Sequence, residues 1–181
     1  MIRPYRPDDL AAVMDIANRA WQPIYDMFEQ TYGPELFAII TPARSTKKGN
    51  AVRAHCEQHP DWVYVCEEAD GRLSGFVTFH LDYRRRIGEI GNNAVDPDLG
   101  LKGRGQQMYR AVFERFEREG MLYAKVSTGL DWAHARARRA YERAGFDIHH
   151  EDITYYKRLN PSGAAAGSDG SAPESRLDRA P

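Results

Sequence analysis

The residues best suited to chemistry lie between Gly88 and Gly120, in the stretch GEIGNNAVDPDLGLKGRGQQMYRAVFERFEREG. A short apolar strand ending near Val95 leads through a turn at Pro97 into a loop holding Gly100, Gly103 and Gly105, and then into an amphipathic helix. Glycines there let the backbone take positive φ and let a ligand come close to the main chain. The first N–H groups of a helix have no acceptor within it, and with the positive end of the dipole they make an anion site. Lys102 and Arg104 add two cations to the same place. The chemistry this favours is the binding of a phosphate ester.

Two common glycine signatures fail on residues. A P-loop requires G-x-x-x-x-G-K-[ST], and no Lys-Ser or Lys-Thr follows a glycine at that spacing. A dinucleotide fingerprint requires G-x-G-x-x-G, and Gly103 and Gly105 are followed by Met108 where the third glycine belongs. The stretch instead resembles the acyl-CoA-binding signature of the GNAT acetyltransferase superfamily: Gln or Arg, two residues, Gly, one residue, then Gly or Ala, after a Val-Asp-Pro-like turn. Val95-Asp96-Pro97 and Gly103-Arg104-Gly105 match it, and Gly100 stands where Gln or Arg is usual. A second superfamily stretch, N-x-x-A-x-x-x-Y-x-x-x-G-F, is matched by Ala137, Tyr141, Gly145 and Phe146, with His134 in place of Asn. The two occur in the expected order.

The resemblance implies a mixed α/β fold over residues 1–159, with a splayed central sheet of about six to seven strands and helices on both faces. It implies acetyl-CoA as co-substrate, no metal, and acetyl transfer to a primary amine of a small molecule or peptide by direct attack. Lys102, Gly103, Arg104, Gly105 and Gln106 would meet the CoA pyrophosphate, Val95 the pantetheine arm through its main chain, and His134 the pantetheine or solvent. Glu89, preceding Ile90 on the central strand, is the candidate general base; it could equally be a solvated strand-edge residue or a partner of Arg84–Arg86. Tyr141 takes the position of the superfamily's usual acid, with core packing as the alternative. A main-chain N–H from the end of the splayed strand would hold the oxyanion. The competing reading is a non-catalytic acyl-CoA sensor that keeps the cofactor site without turnover.

The elements that must position these residues can be read from periodicity. Ile2–Tyr5 reads as a first strand, and Asp8 or Asp9 as a cap for a helix carrying Leu10, Val13, Met14, Ala17 and Trp21. Residues 22–33 fit no single pattern, Pro34 suits the first turn of another helix, and Gly49-Asn50 reads as a break before a helical run ended by Pro60. Strands are predicted at 62–66 and 73–81 around an Asp70-Gly71 turn. The glycine-loop helix buries Met108, Tyr109, Val112, Phe113 and Phe116. A strand at 123–128, a helix at 132–144 with an arginine-rich outer face and a last strand at 153–159 complete the domain. The crossover from Ile90 to Thr128 predicts a parallel pair. From Asn160 the Ser, Gly, Ala and Pro content predicts a disordered tail to residue 181.

Composition sets the outer limits. With 181 residues, 42 % apolar and 28 % charged, the chain has enough material for one cored domain. A net charge of −1 gives no field for nucleic acid or an anionic membrane. No apolar run approaches the ~18 residues that span a bilayer. Cys56 and Cys66 form no C-x-x-C, so a reducing cytoplasm is the expected compartment. A homodimer is left open as an assembly. His55 and His59 have a metal spacing, but Glu57 is not adjacent to the first histidine as a metalloprotease motif requires. Leu73-Ser74-Gly75 is not a G-x-S-x-G nucleophile turn. Acceptor recognition is expected from the first helices, where Asp15, Asp26, Glu29 and Glu35 could attract a cation and Trp21, Tyr25, Phe28 and Tyr32 could wall a pocket.

Overall fold

The structure, a computed structural model, describes residues 1–159. Met1–His149 forms one compact unit, and the described residues from His150 belong to a second. The predicted tail at 160–181 lies outside the described residues. No helix among the described residues is long and apolar enough to cross a membrane.

Alternating residues of each strand point to opposite faces, and the sequence places apolar side chains on both. Strands β1 (Ile2–Pro4), β2 (Val63–Glu67), β3 (Leu73–Asp82), β4 (Ile87–Val95) and β5 (Tyr123–Val126) form a sheet in the order β1-β2-β3-β4-β5. The first three pairings are antiparallel and β4–β5 is parallel. Val63, Val65, Phe76 and Ala94 bury one face under α1 (Leu10–Ala20) and α3 (Arg44–Gln58). Tyr64, Cys66, Val77, Phe79, Leu81 and Ile90 bury the other under α4 (Arg104–Arg118) and α5 (Ala135–Arg143). Helices therefore cover both faces as expected.

The sheet has five strands among the described residues, not six to seven. The expected strand that does not form is Ile153–Leu159, which carries no ladder; Ile153 is 73 % exposed and Tyr155 83 %. Its β-branched and aromatic content is a propensity only, and that preference does not hold a strand without pairing and burial.

The first helices correct two further expectations. Residues 22–33 are helical: α2 (Gln22–Ile40) starts with Pro23 in its first turn and bends at Gly33 (φ 75°), so that Pro34 begins its second segment. Gly49 is not a break but lies inside α3. A Cβ there would sit 2.6 Å from Asn18 Nδ2 and 3.0 Å from the Met14 carbonyl oxygen, and the Gly49 N–H donates to Asn18 Oδ1 at 2.7 Å. The glycine is a point of close helix contact between α1 and α3. Gly49→Val is expected to lower stability by about 2 kcal/mol through overpacking, read from the urea midpoint. An unchanged midpoint would mean that the two helices separate freely. Asp9 takes the N-cap position of α1 as expected, but its buried carboxylate makes no capping bond to that helix; it accepts from the Arg6 N–H at 2.7 Å and the Arg3 guanidinium at 2.7 Å, tying β1 to the start of α1.

Candidate active site

The start of α4 has the features of an anion site. Gly103 is its N-cap residue with φ 82°, left-handed backbone that favours glycine, and no side chain caps the helix there. A Cβ added at Gly100, Gly103 or Gly105 would meet nothing within 4 Å, so the main chain is uncovered along the loop. Lys102 is exposed beside it. The other two expected phosphate residues have their side chains engaged within the protein. Arg104 donates from Nε and Nη2 to the two carboxylate oxygens of Glu68, each at 2.7 Å, and Ser74 Oγ donates to the same carboxylate at 2.5 Å. Arg104, with Ser74 second, holds the Glu68 carboxyl down to about 2. Gln106 Nε2 donates to the Ala140 carbonyl at 2.7 Å and joins α4 to α5. Sequence reasoning missed Glu68 because two residues in different elements carry the pairing.

β4 and β5 diverge beside this loop. Their parallel register runs only from Ile87↔Tyr123 to Ile90↔Val126, whereas β4 continues to Val95. The main chain of Gly91–Val95 thus has β3 on one side and no ladder with β5 on the other. A register shift at Thr78 bends β4 at the same point, where the Asn92 N–H donates to Thr78 Oγ1 at 2.8 Å instead of continuing the ladder. Val95 is the last β4 residue and pairs with Gly75. An acyl-bearing arm could enter this wedge and hydrogen-bond to the free edge.

Tyr141 reaches the wedge from α5 on the α4 side of the sheet. Its side chain is buried, with its ring 5.5 Å from that of Tyr109 and 6.0 Å from Phe146. The hydroxyl accepts from Asn93 Nδ2 at 3.1 Å, and Asn93 Oδ1 accepts from Tyr109 at 2.8 Å. Burial raises the Tyr141 phenol above its ordinary value, against the hydrogen bonds from Asn93 and Tyr109. The packing and the chemical readings of Tyr141 coexist: the ring packs in the core and the oxygen ends at β4.

Glu89 lies on the opposite face. It pairs with Lys125 Nζ at 3.0 Å, directly across the parallel ladder, and not with Arg84–Arg86. On its other side its register partner is His80. His80 belongs to an aromatic cluster with His55 (4.6 Å), His59 (5.7 Å) and Trp62 (5.6 Å), in which His59 stacks on Trp62. Burial, then the neighbouring His80, pushes His55 down to about 4, and burial lowers His80. An unfolded chain takes up these protons near its usual value of about 6.5, which the folded cluster refuses. The stabilisation is complete above about pH 6.5 and is lost as the pH falls toward about 4. His55→Gln should flatten the fall of the thermal midpoint across that window; an unchanged slope would assign it to carboxylates. Among the described residues no group of three or more His, Cys, Asp or Glu could hold a metal.

The sequence profile of the acetyltransferase (GNAT) family matches residues 13–146, which contain the loop, the wedge and Tyr141. The chain belongs to the GNAT family. It is 31 % identical over 106 residues to the S-(2-succino)cysteine N-acetyltransferase of Bacillus subtilis (strain 168), a match spanning 52 % of this chain and 64 % of that protein. Its fold is similar to that of a mutant of the BH1408 protein from Bacillus halodurans, with a TM-score of 0.65 at 13 % identity over 87 % of this chain and 99 % of the other. It is also similar to the PaiA N-acetyltransferase of Thermoplasma acidophilum, solved in complex with coenzyme A, with a TM-score of 0.63 at 18 % identity over 84 % and 92 % of the two chains. At these identities the two structures show the GNAT fold alone.

Within this GNAT domain, His134 ends up as the N-cap residue of α5. Its N–H and Nδ1 both engage Asp131, at 3.0 Å and 2.7 Å, and its ring lies 6.4 Å from that of Phe28 on α2. The acids of the first helices are largely paired: Asp15 with Arg19, and Asp26 and Glu29 with Arg44. The aromatic wall is divided, since Phe28 stacks on Tyr32, Tyr25 is buried, and Trp21 lies under Lys48 Nζ at 4.0 Å. Any attraction for a cationic acceptor therefore comes from partly neutralised carboxylates.

Proposed function

We propose that this GNAT domain is an acetyl-CoA-dependent N-acetyltransferase that acts on a primary amine of a small molecule or peptide. One arrangement carries the reading: the β4–β5 wedge is flanked by Glu89 on one sheet face and Tyr141 on the other, with the uncapped α4 N-terminus beside its mouth. The α4 N–H groups and Lys102 would bind the pyrophosphate, and the free edge near Val95 the pantetheine. Arg104 and Gln106 would contribute main-chain N–H groups there, with Glu68 and Ala140 fixing their side chains.

An alkyl amine is mostly protonated near pH 7, with an ordinary value of about 10.4. Glu89 would accept its proton directly or through a water, the neutral nitrogen would attack the thioester carbonyl, and a β4 main-chain N–H would meet the oxyanion. The C–S bond then breaks on the other face, where Tyr141 donates to the leaving thiolate. The similarity to an enzyme named for S-(2-succino)cysteine makes an amino-acid amine the first acceptor to try.

The test is thiol release from acetyl-CoA across a panel of that compound, free amino acids, dipeptides and a linear diamine, with acetylated product identified by mass. Release with at least one acceptor is expected. A second reading, the acyl-CoA sensor, draws on the Glu89–Lys125 pair, which occupies the candidate base. Tight CoA binding with no release across the panel would favour it.

A further inference from the structure

Asn93 is absent from every motif, yet each polar atom of its side chain is assigned a partner. Nδ2 donates to the Gly91 carbonyl at 3.2 Å and to the Tyr141 hydroxyl at 3.1 Å, while Oδ1 accepts from the Tyr109 hydroxyl at 2.8 Å. A flipped amide would set Oδ1 against the Gly91 carbonyl oxygen, two acceptors face to face, so the backbone of the β4 bend decides the orientation. The buried Tyr109 hydroxyl donates to Oδ1 at 2.8 Å and also faces the Tyr141 oxygen as a donor, so neither neighbour draws on the Tyr141 proton. The Tyr141 oxygen therefore receives a proton bond from the amide, and its own proton is not spent there.

We infer that Asn93, held by Tyr109 and the Gly91 carbonyl, is a positioning residue that turns the Tyr141 hydroxyl into a hydrogen-bond donor toward the β4–β5 wedge. The inference rests on the proposed acetyl transfer and deepens it. As the C–S bond of the tetrahedral intermediate breaks, the sulfur leaves with the electron pair and takes the Tyr141 proton. The phenolate oxygen left behind keeps the Asn93 donor and is reprotonated from water before the next turnover. The amide thus stabilises the charged form of Tyr141, in the direction opposite to burial.

Bound CoA itself is the probe, because the test then needs no acceptor. The thiolate of CoA is titrated by its ultraviolet absorbance on the wild-type protein and on the Asn93→Leu, Asn93→Asp and Tyr141→Phe variants, with CoA affinity measured in parallel by calorimetry. A donor hydrogen bond to the thiolate should lower the bound thiol by about one pH unit from its value in free CoA, titrated in parallel. All three variants should return it toward the free value, with CoA affinity at neutral pH, where the thiol is protonated, within about threefold of wild type. Asn93→Asp, nearly the same shape, covers the case in which the leucine variant does not fold. Once an acceptor is known, Asn93→Leu should cost about tenfold in kcat in the wild-type background and nothing further in Tyr141→Phe, since residues acting as a unit are not additive. A thiol lowered equally in wild type and both Asn93 variants overturns the inference and leaves the acetyltransferase reading standing. Absence of CoA binding by the wild type removes both.

Discussion

Tyr141→Phe is expected to lower kcat by about 10²–10³-fold while leaving acetyl-CoA affinity nearly unchanged. Phenylalanine keeps the ring contacts with Tyr109 and Phe146 that seat α5 on α4, so the change isolates the hydroxyl. Burial keeps that phenol protonated through the neutral range, which suits a donor. What is lost is a hydrogen bond made most strongly when the thiolate departs, and such a loss appears in kcat and kcat/KM together. Single-turnover measurements with acetyl-CoA in excess read it directly. Full activity in this variant would reduce Tyr141 to a core residue.

Glu89→Gln is expected to cost a similar factor, about 10²–10³ in kcat/KM for the amine, with acetyl-CoA binding retained. Glutamine preserves the size of the side chain and removes its charge, so the Lys125 pair and the proton acceptor are lost together. The two roles separate by pH. A missing base matters less as the pH rises toward the ordinary amine value of about 10.4, because the acceptor then arrives neutral. The deficit should therefore shrink with rising pH, and it should be smaller for acceptors with less basic nitrogens. A pH-independent deficit would mean that Glu89 acts by holding Lys125 and the β4–β5 register. Full activity at all pH values would require another base.

The glycine loop was legible because its chemistry is local: Gly103 has the positive φ its position implied, and the following helix has the apolar stripe of Met108, Tyr109, Val112 and Phe116. The β4–α4–β5 crossover was legible for the same reason, as the 2-residue and 3.6-residue periods change at clear boundaries. Partnerships between distant elements were not. Glycine at position 49 looks like a helix breaker until Asn18 is seen filling the space a Cβ would need. Arg104 looks like a free phosphate cation until Glu68, 36 residues earlier, is found on its guanidinium. Arg84–Arg86 lie nearest Glu89 in sequence, whereas parallel pairing sets Lys125 against it. Asn93 carries one signal in the sequence, an amide set between the apolar Ile90 and Ala94-Val95 of the same strand. Ile153–Leu159 shows the reverse error, in which local propensity promised a strand that has no ladder.

Binding of the CoA group at the α4 N-terminus and the β4–β5 wedge is the claim on which the chemistry depends, and the thermal midpoint tests it with acetyl-CoA, CoA and ATP in turn. A ligand at 100 times its Kd that binds only the folded state adds about 2.7 kcal/mol, or about 5–10 °C for a domain of this size. Shifts of that order with acetyl-CoA and CoA, and none with ATP, are the expected result. An unchanged midpoint with both CoA species at millimolar concentration would contradict the assignment of the loop and wedge to acyl-CoA.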